Sequence, residues 1–306
     1  SPSPPHPTSH PTPHPPPSTL PPLPTPFPLQ VPLAIMRRRR AAALLLSLAV
    51  APLAATTPTF RVGILLPAVG TRESGYASFG WAPRIGWYQA LREINNHSDG
   101  VADELLPRTE LLFAYRDSKC DARTSMGGTL YLTRDAFDGR GVSAIIGASC
   151  SGASETAAQL AGTMNVPIIS GFSTSPSLSD GRQFTYFLRT LPSDAFGAVG
   201  IVDVLRSLWN YSSVALVHST DSYGEGIGSA FVQMAHTSGL SIRSTQTFRK
   251  DAADFQLQLA GLARVSPRVI VLFCQGSDLS RFMRSAFEVG IGGEGYLWFG
   301  GDTMAD

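Results

Sequence analysis

Charge is scarce in this chain: 15% of its 306 residues are Asp, Glu, Lys or Arg, and together they leave a formal net charge of +1. Nucleic-acid binding draws on a clustered basic footprint. The one dense basic run is Arg37 to Arg40, so no nucleic-acid partner is expected. No apolar stretch reaches the roughly 20 residues that span a bilayer. Cysteine is limited to three positions and histidine to six, and His97, His218 and His236 stand singly. A nucleophilic Cys150 therefore finds no recognisable base, and no metal or other cofactor is called for. What is abundant is apolar: 43% of the chain is hydrophobic, enough for one or two packed cores.

Proline concentrates at one end, with 15 of the 24 in residues 1 to 32. Such a segment cannot build a core and reads as extended or disordered; its spaced histidines, His6, His10 and His14, suit weak metal binding. Met36 directly precedes the arginines, so a second reading starts translation there and leaves residues 1–35 as upstream sequence. Arg37–Arg40, the apolar stretch Ala41 to Val50 and the small residues Ala51, Ala54 and Ala55 follow the order of a secretory signal peptide over residues 36–56, with cleavage between Ala54 and Thr57.

Export favours disulfides. Cys120 closes the segment from Arg116 after one strand, and Cys150 closes Gly147-Ala-Ser-Cys after the next. Parallel neighbours would bring both to one edge, so a Cys120–Cys150 disulfide is expected, the alternative being two half-buried free thiols. Cys274 ends an apolar run and reads as a buried strand thiol. Asn96-His-Ser98 and Asn210-Tyr-Ser212 are N-glycosylation sequons.

From Phe60 onward, short apolar strands alternate with helical stretches, which means α/β architecture with parallel sheets covered by helices. Phe187-Leu-Arg-Thr-Leu-Pro-Ser-Asp194 breaks the rhythm and reads as a crossing between two lobes, residues 57–190 and 191–306, with four strands on either side. Ligands of such sheets gather at the carboxyl ends of strands, and five polar residues fall there: Ser151, Thr174, Asp194, Tyr223 and Asp302. Hydroxyls and a helix N-terminus suit a carboxylate, while carboxylates and an aromatic face suit an ammonium. Each residue has a plainer reading: serine, threonine and aspartate often cap helices, and Tyr223 suits a core. Two hydroxyl-bearing helix starts at successive strand ends favour a site for a free amino acid, and the place of Tyr223 beside Gly224 suggests an exposed ring at the cleft.

The segment Ile146 to Asp180, the crossing Leu191-Pro-Ser-Asp194, Tyr223-Gly-Glu-Gly226 and Phe273-Cys-Gln-Gly276 resemble the ligand-binding domains of class C G-protein-coupled receptors, metabotropic glutamate and GABA type B receptors among them. The resemblance runs from about Phe60 to Asp306 and implies a two-lobed, type I periplasmic-binding-protein-like "Venus flytrap" fold that stops inside the second lobe, C-terminally incomplete. By resemblance, Ser151 binds the ligand carboxylate and Thr174 touches both carboxylate and ammonium. Asp194 and Asp302 hold the ammonium, Tyr223 lies over the ligand and Ser173 contributes backbone. Phe172 and Gly171 depart from the glutamate-receptor pattern, and Arg84 is the one basic candidate for a distal group. The implied ligand is glutamate, GABA or a related amino acid, and the implied partners are a second copy or a related subunit, a downstream membrane domain and a G protein, at the extracellular face of the plasma membrane.

Glutamate-receptor-like channels and soluble amino-acid-binding proteins share this pattern, and a peptide-hormone receptor of the same fold would not need both aspartates. The enzyme alternative rests on Gly224-Glu-Gly-Ile-Gly228, a partial dinucleotide-binding loop whose third glycine is replaced by Ser229. The set as a whole implies a binding protein, not an enzyme.

Overall fold

The computed structural model describes residues 57–68, 77–101 and 103–304, without the side chains of 77–82. The proline-rich segment 1–35, the signal-peptide segment 36–56 and Asp306 lie outside the described residues.

The first half runs β1 (Thr59–Leu66), α1 (Ala77–Asn95), β2 (Glu110–Asp117), α2 (Ala122–Leu130), the single turn α3 (Ala136–Gly139), β3 (Ala144–Gly147), α4 (Ser151–Thr163), β4 (Ile168–Ser170) and β5 (Phe187–Arg189). Its five parallel strands lie in the order β2-β1-β3-β4-β5. The second half runs α5 (Asp194–Asp203), β6 (Ser213–Ser219), α6 (Ser222–Thr237), β7 (Ser241–Phe248), α7 (Gln256–Val265), β8 (Val269–Phe273), α8 (Gly276–Glu288) and β9 (Leu297–Gly300), with parallel order β7-β6-β8-β9.

Parallel strands covered on both faces carry unbroken apolar runs. Val-Ile-Val-Leu-Phe of β8 is buried along its whole length. Ala153, Ala157 and Ala161 of α4 pack with Leu65, Ile145 and Ile168 on one face of the first sheet, and Leu91 of α1 packs with Val62, Ile64 and Leu66 on the other. The second sheet repeats the plan, with Phe231 of α6 and Phe273 on one face and Leu262 of α7 and Phe282 of α8 on the other. Each sheet is thus the middle layer of its own sandwich.

Two expectations need correction. The first half holds five strands, not four, because the short strand Phe187–Arg189 at the start of the crossing pairs with β4. The strands before the two cysteines are not neighbours, because β1 lies between β2 and β3. Cys120 and Cys150 are nevertheless disulfide-bonded, with Cα atoms 5.3 Å apart, so the bridge passes over the end of β1. A loop of about 30 residues closed this way restricts the unfolded chain. Replacing both cysteines by serine should lower stability by about 3 kcal/mol, read as a urea-midpoint shift that the wild type reproduces under reductant.

Cys274 is buried and free, with its thiol pushed far above the usual range by burial and by the charges of Asp278 and Asp221. Asn96 and Asn210 are exposed.

Candidate functional site

The carboxyl ends of the strands in the two halves face a shared cavity of about 30 Å³, lined by Ser149, Cys150, Ser151, Phe172, Thr174, Tyr223, Gln275, Asp302 and Thr303. The first half supplies the wall that donates protons. β3 ends at Gly147 and α4 starts at Ser151, with Cys150 at the N-cap position and no side chain capping the helix. Cys150 has no hydroxyl or carboxylate to turn back on the first turn, so the leading N–H groups of α4 lack the usual capping acceptor. Ser151 is buried and its hydroxyl accepts from the Ser175 N–H at 3.2 Å, which leaves its own proton to give. The Ser149 hydroxyl, also buried, has no hydrogen-bond partner among the described residues.

The opposing wall is acidic. Asp194 is the first residue of α5, but Ser193 caps the helix by accepting from the Ala195 N–H at 3.3 Å. Freed from capping, the Asp194 carboxylate is buried beside Thr174, whose hydroxyl hydrogen-bonds to it, and its Oδ2 has no partner among the described residues. Burial first, and then the charge of Asp302, push this carboxyl up to about 6 against the opposing effects of Thr174 and Arg189. A buried carboxylate oxygen without a donor is costly, and a ligand N–H group would satisfy it.

Tyr223 is not the exposed ring expected from its place after a loop. Asp221 caps α6 by accepting from the Gly224 N–H, and this draws Tyr223 into the first turn, where it is buried. Its hydroxyl donates to Asp302 Oδ1 at 2.6 Å. Burial first, and then the neighbouring Asp302 charge, drive the phenol's ionisation far above its usual range, so it remains a donor. A methyl on Gly301 would fall 2.6 Å from that hydroxyl, so glycine there allows the phenol its close approach. Asp302 itself is largely exposed and also accepts from the Thr303 N–H at 3.0 Å.

The structure therefore brings Ser151, Thr174, Tyr223 and Asp302 to one cavity, with Asp194 touching Thr174 behind it. Ser173 is elsewhere: its hydroxyl lies 2.7 Å from that of Ser154 and donates to the Ala148 carbonyl, and its N–H donates to Ser170. It ties strand ends together and does not line the cavity. Arg84 is also displaced, lying over the Tyr115 ring at 4.8 Å and donating to the Ala68 carbonyl in a groove between α1 and β2. Ser149, Gln275 and Thr303 line the cavity and escaped the sequence reading, because each sits among small or polar loop residues without a pattern of its own.

The glycines of Gly224-Glu-Gly-Ile-Gly228 lie inside α6, not in a strand-to-helix turn. A methyl on Gly224 would meet Ser219 and one on Gly228 would meet His218 at 3.0 Å, so these two glycines serve close packing. A phosphate-cradling loop is not formed there.

Two helix-covered parallel sheets in series, joined by an extended crossing beside a polar cavity, define a two-lobed fold of the type I periplasmic-binding-protein kind. The chain belongs to the family described as receptor family ligand binding region, which matches residues 87–306. It is 31% identical over 188 residues to metabotropic glutamate receptor 4 of Macaca fascicularis, a match covering 60% of this chain and 20% of the receptor. It is 30% identical over 167 residues to metabotropic glutamate receptor 8 of Homo sapiens, covering 53% of this chain and 18% of the receptor. The match thus spans about a fifth of the length of these relatives. Among solved structures, the substrate-binding protein LivJ of a Streptococcus pneumoniae branched-chain amino acid transporter, in complex with isoleucine, superposes with a TM-score of 0.64 at 23% identity, covering 80% of this chain and 65% of that one.

Proposed function

We propose that this region is the extracellular amino-acid-sensing part of a membrane receptor, binding glutamate, GABA or a related amino acid between its two halves. The observation that carries the reading is a pair of buried orphan polar atoms, one in the lining of the cavity and one behind Thr174. The Ser149 hydroxyl, beside the uncapped start of α4, offers a proton to a carboxylate, and the Asp194 Oδ2 awaits an ammonium. A zwitterion satisfies both at once, and each would otherwise remain a buried unpaired group.

The small size of the cavity supports lobe motion. A cavity of about 30 Å³ holds about two waters, so an amino acid enters as the halves part and is enclosed as they approach again. Ligand contacts made from both halves favour the enclosed arrangement, and that shift in population is the signal. The kinship with metabotropic glutamate receptors supports a following membrane domain, a G-protein partner and a paired receptor. Binding without chemical conversion is the expected activity.

A thermal-shift comparison on the full chain tests the reading. L-glutamate and GABA should raise the melting temperature, whereas glutarate, which lacks the ammonium, and n-butylamine, which lacks the carboxylate, should not. Equal shifts from glutarate would remove the role of Asp194.

A further inference from the structure

A second polar cluster joins the two halves outside the cavity, and none of its members is among the ligand contacts proposed above. Glu155, one turn into α4, accepts from the Ser177 hydroxyl through Oε1 and from the Ser222 hydroxyl through Oε2, the latter at 2.6 Å. Ser177 follows β4 in the first half; Ser222 opens α6 in the second. The Ser175 hydroxyl donates to the Ser222 carbonyl at 2.9 Å and lies 2.8 Å from the Ser177 hydroxyl. One carboxylate thus holds a hydroxyl from each half, and the Ser175 bond to the Ser222 carbonyl crosses between the halves beside it.

The backbone is shaped to let these groups meet. A methyl on Gly226 of α6 would fall 2.6 Å from Ser175 Oγ and 3.0 Å from Pro176 Cδ, and one on Gly152 of α4 would fall 3.2 Å from Ser222 Oγ. Both glycines have right-handed, helical neighbours and no positive φ that would demand glycine. Close approach between the halves is what they permit.

We infer that Glu155 and Ser222 form a latch that holds the two halves together and positions Tyr223, the residue next to Ser222, against the ligand. Glu155 acts through this contact, as a positioning residue. The charge-assisted bond from Ser222 to Glu155, with the Ser175 bond to the Ser222 carbonyl beside it, crosses between the halves and favours the enclosed arrangement even without ligand. Breaking the latch lowers ligand affinity by the same factor by which it depopulates that arrangement. This affinity consequence rests on the amino-acid reading, whereas the latch itself does not.

Single-molecule energy transfer on the full chain, with dyes on cysteines introduced at the exposed positions Met126 and Leu257, separates the two. Without any added ligand, Glu155→Ala and Ser222→Ala should each lower the ratio of short-distance to long-distance molecules about tenfold, and the double variant should lower it no further. Gly226→Ala, which leaves every hydroxyl and carboxylate in place, should lower it as well. An unchanged ratio in both single variants, or losses that simply add in the double variant, would overturn the latch. A changed ratio together with no response to L-glutamate or GABA would uphold the latch and remove the amino-acid reading instead.

Discussion

Asp194→Asn and Thr174→Ala should each weaken amino-acid binding by about 2–5 kcal/mol, the cost of removing one partner of a buried, charged hydrogen bond. The two residues act as a unit: the Thr174 hydroxyl holds the Asp194 carboxylate, and the Asp194 N–H donates to the Thr174 carbonyl at 2.9 Å. A double variant should therefore lose less than the sum of the single losses. Calorimetric titration with L-glutamate or GABA reads all three. Free-protein stability should move the other way for Asp194→Asn. Because burial holds this carboxyl near 6 in the folded chain, ionising it above its unfolded value opposes folding. Stability falls as pH rises from about 4 to about 6 and stays lowered at neutral pH, and the asparagine variant escapes a loss on the order of 2–3 kcal/mol. A substitution that stabilises the empty protein while abolishing binding marks a residue kept for its ligand.

Binding should also weaken about tenfold between pH 7.5 and pH 5.0. An ammonium ligand is held by the ionised carboxylate, and a group titrating at about 6 is largely protonated at pH 5. Tyr223 keeps its proton over this interval, since burial moves its ionisation upward. Competition between ligand and proton at Asp194 predicts one tenfold step in affinity per pH unit below about 6, and this slope should vanish in Asp194→Asn. A slope that persists in that variant would place the titrating group elsewhere.

The sheets were legible because parallel strands buried on both faces are continuous apolar runs, and β1, β6 and β8 carry such runs. The short strand at the start of the crossing was legible as β5, but its place in the first sheet was not, because Phe-Leu-Arg is three residues long, is only partly buried and gains its place from pairing with β4. The start of α6 is delayed in the sequence pattern for a related reason: Ser222 opens the helix, but small polar residues have no apolar periodicity to announce a first turn. That delay is what placed Tyr223 in a loop and made its ring look exposed.

Residue type and position were enough to bring Ser151, Thr174 and Asp302 to one cavity with Asp194 beside Thr174, since each sits at the junction of a strand or crossing with a helical turn. Orientation did not follow from position. Ser173 and Thr174 are adjacent, yet one hydroxyl enters a buried serine network and the other faces the cavity. Glu155 gave no signal because its partners are 22 and 67 residues away.

A crystal structure of the full chain with L-glutamate bound would locate the ligand directly. Its α-carboxylate should lie at the first turn of α4 within hydrogen-bond distance of Ser149, Ser151 and Thr174, with its ammonium against Asp194 Oδ2. Glutamate bound elsewhere, for example in the groove beside Arg84 and Tyr115, or held with Asp194 Oδ2 still unpaired, would contradict the amino-acid site.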